Sequence, residues 1–289
     1  MQVENIKQLL SVLYYSSNYK GVIELGNIIE SEYKLFYNEE IQFITLTYQL
    51  MSYYALNDFQ QVLLIYKKIE NLQSVSNKPE HQMVFKLFSY LTKYVGNDLE
   101  KIEERLLEGF QISWQLKAED MTYTYLFLNN FALILKDQAK YSEMESLLTV
   151  LIEMMRINES VPFLLMLRAK LNLLEAFLYN NKKRSYERLR NEIELTIFNH
   201  HNHFIGESSY YKLIKLKYEI LFNPKNYVDI TLQLKEFDLY IEKVGLLELR
   251  LDLYQFILQN GDLIKDLDIN VYKMKLETLM EEIMLFQQN

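Results

Sequence analysis

Apolar residues recur every three or four positions along most of this chain, and short polar breaks interrupt them at intervals near forty. Between Leu126 and Met155, Leu128, Phe131, Ala132 and Leu135 fit one helical stripe, and Met144, Leu148 and Leu151 fit a second beyond the break. The breaks are Ser17-Asn18-Tyr19, Asn57-Asp58-Phe59, Asn97-Asp98-Leu99, Ala139-Lys140-Tyr141, Lys183-Arg184-Ser185-Tyr186 and Pro224-Lys225-Asn226-Tyr227, and their last residues lie 40, 40, 42, 45 and 41 positions apart. Such an interval, broken in its middle, accommodates a helix, a turn, a second helix and a linker. The pattern predicts helices at 2–15, 19–31, 38–56, 58–73, 79–95, 98–117, 119–137, 140–157, 161–180, 182–199, 206–222, 226–244, 246–259 and 269–287, hence seven hairpins. Pro79 and Pro162 fall in first turns, where a missing N–H costs nothing.

Composition narrows the fold class to all-α. Seven glycines and three prolines in 289 residues are too few to punctuate a β-rich or doubly wound fold. The 49% apolar fraction, with 23 Tyr and 16 Phe, supplies enough surface to fix many helices against one another. No window holds eighteen uninterrupted apolar residues, and Met1-Gln2-Val3-Glu4-Asn5 has neither a basic segment nor a small-residue cleavage site, which predicts a soluble chain without an export signal. The absence of cysteine removes disulfides, thiolate catalysis and cysteine-based zinc sites, and fits a reducing, cytoplasmic compartment. A net charge of -8 disfavours broad attraction to nucleic acid or an anionic membrane.

With these offsets the chain resembles the tetratricopeptide (TPR) family. The register of Leu128 to Leu151 repeats as Leu46, Gln49, Leu50, Tyr53, Phe59, Val62, Tyr66 and Ile69, and again as Ile214, Lys217, Tyr218, Leu221, Tyr227, Ile230, Leu234 and Phe237. The small residues of the family's repeat are mostly replaced by Val, Met or Leu, and the repeats run longer. The resemblance implies a right-handed superhelical array of about seven antiparallel helix hairpins, forming one domain over 1–289. It also implies ligand contacts from the inward side of each first helix, at Thr47, Met51 and Tyr54; Leu87, Leu91 and Tyr94; Asn129, Leu133 and Lys136; and Lys212, Lys215 and Glu219.

Candidate chemistry is sparse. No two glycines are closer than five residues, so no loop cradles phosphate. The adjacent pairs Glu39-Glu40, Glu103-Glu104 and Glu281-Glu282 diverge by about 100° on a helix and read as solvated faces. His200, His201 and His203 form the single histidine cluster, without the carboxylate motif a zinc site needs, and read as a polar loop. Lys182, Lys183, Arg184, Arg188 and Arg190 read as a solvated helix surface, with phosphate contact as the alternative. Trp114, at helical spacing from Phe110, is expected in the core or at a repeat interface. The residues point to no catalytic group, metal or cofactor, and an enzyme with an unfamiliar all-helical site is the least favoured class.

The long, Tyr/Phe/Lys-rich, cysteine-free repeats are also similar in style to the sensory domains of bacterial peptide-pheromone receptors of the Rgg/PlcR/Rap group. That likeness implies a short linear peptide in a concave groove, contacted by Thr47, Tyr54, Tyr94, Asn129, Asn130, Lys136, Lys212 and Lys215, with an output in quorum sensing or transcription regulation. Many such receptors carry an N-terminal helix-turn-helix; here Ile6, Leu9, Leu10 and Leu13 already belong to the first repeat, so nucleic acid is not expected to bind through this chain alone. The expected partner is a short peptide or protein segment. A scaffold that joins two proteins without sensing a peptide is the alternative. The last helix carries Val271, Met274, Leu276, Leu279, Ile283 and Leu285 with no later repeat to cover them, which marks 246–289 as an expected homodimerisation element.

Overall fold

The computed structural model describes residues 3–16, 18–32, 38–56, 58–95, 98–116, 121–158, 161–199, 205–223, 227–264 and 267–288. Among these every regular element is helical. The chain runs through α1 (Val3–Tyr15), α2 (Tyr19–Glu32), α3 (Glu39–Ala55), α4 (Phe59–Glu70), α5 (Gln73–Asn77), α6 (Pro79–Leu87), a 3-10 helix (Phe88–Val95) and α7 (Leu99–Gln115). It continues through α8 (Thr122–Asp137), α9 (Tyr141–Ile157), α10 (Phe163–Tyr179), α11 (Lys183–Asn199), α12 (Ile205–Phe222), α13 (Tyr227–Val244), α14 (Leu247–Asn260), a 3-10 turn (Gly261–Leu263) and α15 (Ile269–Gln288). Apart from the short α5 these fall into seven consecutive pairs, as the forty-residue pattern predicts.

Polar caps start several helices. Asn38, Asp58 and Asp98 each accept from a backbone N–H of the first turn, at Ile41, Gln61 and Glu100. The turns within four pairs close alike: the N–H of Asn18, Asp58, Lys140 and Lys182 reaches the carbonyl five residues back, at Leu13, Tyr53, Leu135 and Phe177. Where the intervening residue is described it is left-handed, Ala139 at φ 55 and Asn181 at φ 57, and Gly245 at φ 78 closes α13 onto α14 in the same manner. The sequence repeat thus corresponds to a repeated helix-stopping turn.

Two expected helices end early. The one predicted over 58–73 stops at Glu70, where Asn71 folds its side chain onto the Lys67 carbonyl, and a separate short helix, α5, follows. The one predicted over 79–95 tightens to 3-10 winding at Phe88; the hydroxyls of Ser89 and Thr92 donate to carbonyls three residues back, at Lys86 and Ser89, spacing that suits the tighter coil.

The molecule divides into two compact units, 1–127 with 283–289, and 128–282. In the first, Ile6, Leu10, Val22, Ile29 and Ile41 tie α1 and α2 to α3, and Phe43, Leu46, Leu50, Val62, Ile65, Tyr66 and Phe85 continue the core through α4 and α6. Gly109 lets α7 approach closely, since a Cβ there would lie 2.5 Å from the Phe127 ring and 2.9 Å from Cβ of Lys86. Trp114 departs from expectation: it is 60% exposed and tilted against Phe110, with Leu107 also exposed one helical step away. The apolar stripe of α7 that enters the core is instead Ile102, Leu106 and Gly109, so helical spacing from Phe110 put Trp114 on the wrong side.

In the second unit α10 packs against α9, α11 and α12, and α12 against α13 and α14. Residues 171–176 of α10 are all buried, so this helix has no solvent face there. On α15, Leu279 of this unit is buried while Val271 and Met274 are exposed; Ile283, of the first unit, is also buried. No described helix is long and apolar enough to cross a membrane.

Candidate functional site

The run Leu171-Asn172-Leu173-Leu174-Glu175-Ala176-Phe177-Leu178-Tyr179 is apolar except at Asn172 and Glu175, one turn apart on the same face of α10. Because α10 is enclosed, both are carried into the interior. The neighbouring first helices answer them. On α8, Asn129 and Lys136 stand two turns apart on one face; on α12, Tyr210 and Lys217 do the same; α14 contributes Asp252. Lys136, Glu175, Lys217 and Asp252 follow one another at 39, 42 and 35 residues with alternating sign, one charge per hairpin.

These four side chains close into a ring. Lys136 Nζ lies 2.6 Å from Glu175 Oε2 and 3.0 Å from Asp252 Oδ2, while Lys217 Nζ donates to Glu175 Oε1 at 2.7 Å and Asp252 Oδ1 at 2.5 Å. The Tyr210 hydroxyl donates to Glu175 Oε2, and Lys136 reaches that hydroxyl at 3.4 Å. Lys217 also sits between the rings of Tyr179 and Phe256, 5.5 and 5.6 Å from their centroids. One step along the same stripe, Asn172 donates to Asn129 Oδ1 at 3.0 Å, and beyond it Arg168 Nε donates to Glu207 at 2.7 Å. The Lys136 to Asp252 contact spans 116 residues, so the inner faces of α8, α10, α12 and α14 converge on one point.

Glu175 and Lys217 are wholly buried, whereas Lys136 and Asp252 keep 19% of their side-chain surface exposed. The ring therefore has a dry half and an edge in contact with solvent. Burial by itself pushes both lysines down and both carboxylic acids up, but the opposite charges win. Asp252 and Glu175 hold the Lys136 and Lys217 ammonium groups above the ordinary lysine range. Lys136 and Lys217 hold the Glu175 and Asp252 carboxyls below theirs. For the Tyr210 hydroxyl, burial and then the Glu175 charge both raise the pKa. All four charges are thus present at neutral pH and cancel. Carboxylates locked to ammonium groups are weak bases and no acids, so the cluster suits holding charged or polar groups better than moving protons.

Of the residues singled out from sequence, Asn129 and Lys136 lie on this stripe, and both already have partners. Asn130, a neighbour about 100° round α8, is half-buried. Lys212 and Lys215 lie away from Lys217 around α12 and line a cleft against α11 instead. Thr47 and Tyr54 are on α3 in the first unit, Thr47 half-buried and Tyr54 edge-on to Phe59. Tyr94 lies in the 3-10 helix and its side chain is outside the described residues, as are His200, His201 and His203. Among the described residues no group of three His, Asp or Glu could hold a metal ion.

Sequence reasoning missed Asn172, Glu175, Tyr210 and Asp252, and took Lys217 for an ordinary core position. The available signal was the alternating charge at hairpin spacing, strongest at Glu175, the single carboxylate in its apolar run. Within the basic stretch Lys182 bonds Glu145, Arg190 bonds Glu187 and Tyr186 is buried in a stack on Tyr218, while Lys183, Arg184 and Arg188 are exposed. In the first unit, His81 stacks on Phe43 and meets Glu40 through Nε2 at 3.2 Å. No protein-family model matches the chain, and no curated protein matches it in sequence.

Proposed function

We propose that this chain is a peptide-responsive interaction protein, which receives a short linear peptide along the polar stripe of its first helices and acts through a protein partner or a dimer. The observation that supports it is the ring of Lys136, Glu175, Lys217 and Asp252, continued by Asn129, Asn172 and Tyr210. Glu175, Lys217, Asn129 and Asn172 are buried and bonded within the stripe, so they hold Lys136 and Asp252 in place, and that partly exposed pair is what the charged ends of an extended peptide would meet. Lys136 and Asp252, at the wet edge, are the pair a peptide terminus would engage first. In this reading the chain works in the manner of the peptide-receptor sensory domains that its repeats resemble.

The test is selection of random linear peptides displayed against the full chain, followed by titration of the enriched sequences. Peptides that bind the parent and lose at least tenfold, about 1.4 kcal/mol, on Asn129→Ala or Lys136→Met, with urea titration showing each variant folded under the binding conditions, support the reading. No enrichment, or binding indifferent to both variants and to Asp252→Asn, overturns it.

A second reading, a scaffold joining proteins without sensing a peptide, draws on Leu107, Phe110 and Trp114 on one face of α7. Exposed Trp and Leu flanking a half-buried Phe are the kind of anchor protein interfaces use. Loss of partner capture on Trp114→Ala, with peptide binding absent, favours it.

A further inference from the structure

The cleft between α11 and α12 is independent of the charge ring and of the peptide reading. It has a volume of about 670 Å³, within the usual size of small-molecule sites. Leu195 and Ile197 of α11 face Ser208, Tyr211, Lys212 and Lys215 of α12 across it. Leu195 is 71% exposed, although an isoleucine two residues on is packed away. Ser208 is 8% exposed, and its hydroxyl has no hydrogen-bond partner among the described residues. A buried hydroxyl left unpaired at the wall of a cavity is costly, and a ligand atom or water relieves it.

The charges of the cleft are unequal. Its single carboxylate among the described residues, Glu194, accepts from the Tyr211 hydroxyl at 2.5 Å and lies at 3.7 Å from Lys215 and 3.9 Å from Arg190, so its charge is shared. Lys212 has no carboxylate within ion-pair distance among the described residues and lies 5.4 Å above the Tyr240 ring. In a chain of net charge -8, two lysines one turn apart beside an apolar wall form a local attraction for anions. From Ser208 to Lys215 the wall runs seven residues, about 10 Å along the helix axis.

We propose that this cleft binds a small amphipathic carboxylate, with the apolar body against Leu195, Ile197 and the Tyr211 ring, and the carboxylate received by Lys212 and Lys215. An apolar surface alone accepts alcohols and acids equally; the two lysines make the site prefer the acid. Ser208 supplies a hydroxyl for a further polar atom of the ligand.

The experiment is calorimetric titration of the full chain with octanoate, octanol and acetate. Octanoate is expected to bind, octanol at least tenfold more weakly, and acetate not detectably. The double variant Lys212→Met/Lys215→Met is expected to erase the preference for octanoate over octanol, and Leu195→Asp to weaken octanoate at least tenfold; both side chains sets are exposed, and circular dichroism checks that helix content is unchanged. The proposal is overturned if octanoate fails to bind, if octanol binds the parent as tightly as octanoate, or if acetate competes as well as octanoate. The parent-protein comparison needs no variant, so a misfolded variant leaves the test intact.

Discussion

Lys217 has no exposed surface and still carries its charge, because Glu175 and Asp252 stand at hydrogen-bond distance on either side. Removing one member of such a group leaves a buried charge uncompensated, at about 3–5 kcal/mol. Lys217→Met should therefore lower stability by about that amount in urea titration. The double variant Glu175→Leu/Lys217→Met keeps the Lys136–Asp252 pair and a balanced interior, so it should lose clearly less than the sum of its single changes. The same ring sets an acid limit. Both carboxyls are depressed in the folded chain, so the native state binds fewer protons than the unfolded one below the ordinary carboxylate pKa of about 4. Their contribution is complete above that pH and is lost as pH falls through the folded values. Urea midpoints should decline steeply below about pH 4 in the parent and less steeply in Asp252→Asn. A parallel decline in both would exclude the ring as the cause.

At the scale of helices, close approach and clean stopping matter most. Gly109→Ala gains helix propensity of up to about 1 kcal/mol but drives a methyl into the Phe127 ring and Lys86 Cβ, so a net loss of about 1–2 kcal/mol is expected. An unchanged or raised melting temperature would contradict the packing of α6, α7 and α8 within the first unit. Ala139 presents the opposite case. It stops α8 in the left-handed region, where a Cβ costs about 1 kcal/mol, so Ala139→Gly should stabilise by about 0.5–1 kcal/mol. Destabilisation there would mean that the methyl contributes packing beyond the turn. In hydrogen exchange, residues 171–176 of α10 should be among the slowest in the second unit, since no face of that segment meets water.

Across the whole molecule, the described residues form an all-α array in two units, each with its own buried core. The last helix remains the place where a second copy is expected to bind. Val271, Met274, Met280 and Met284 are exposed on α15, while Leu279 and Ile283 are already used within the chain and the Leu285 side chain lies outside the described residues, so the expected self-association surface shifts from the full apolar stripe to these exposed side chains. Light scattering at micromolar concentration should give a dimer mass for the parent and a monomer mass for Met274→Glu. A monomeric parent would exclude this element as a dimer surface. If both proved dimeric, the contact would lie elsewhere.

Helix positions were legible because they depend on local information: a three- to four-residue apolar period, polar caps at Asn38, Asp58 and Asp98, and a stopping turn recurring near every forty residues. Scarce glycine and proline excluded other fold classes for the same local reason. The exposure of Trp114 was not legible, because one helix offers two apolar stripes and only its neighbours select which is buried. The charge ring was partly written in the sequence, as alternating signs at hairpin spacing, yet its closure required Lys136 to meet Asp252 across 116 residues. Lys212 and Lys215 show the converse. Their spacing put them on a first helix, but the rotation of α12 against its neighbours turned them into the cleft beside α11. Sequence periodicity fixes where a helix runs and which residues share a face; the direction that face takes is set by packing against distant elements, and that only the tertiary structure decides.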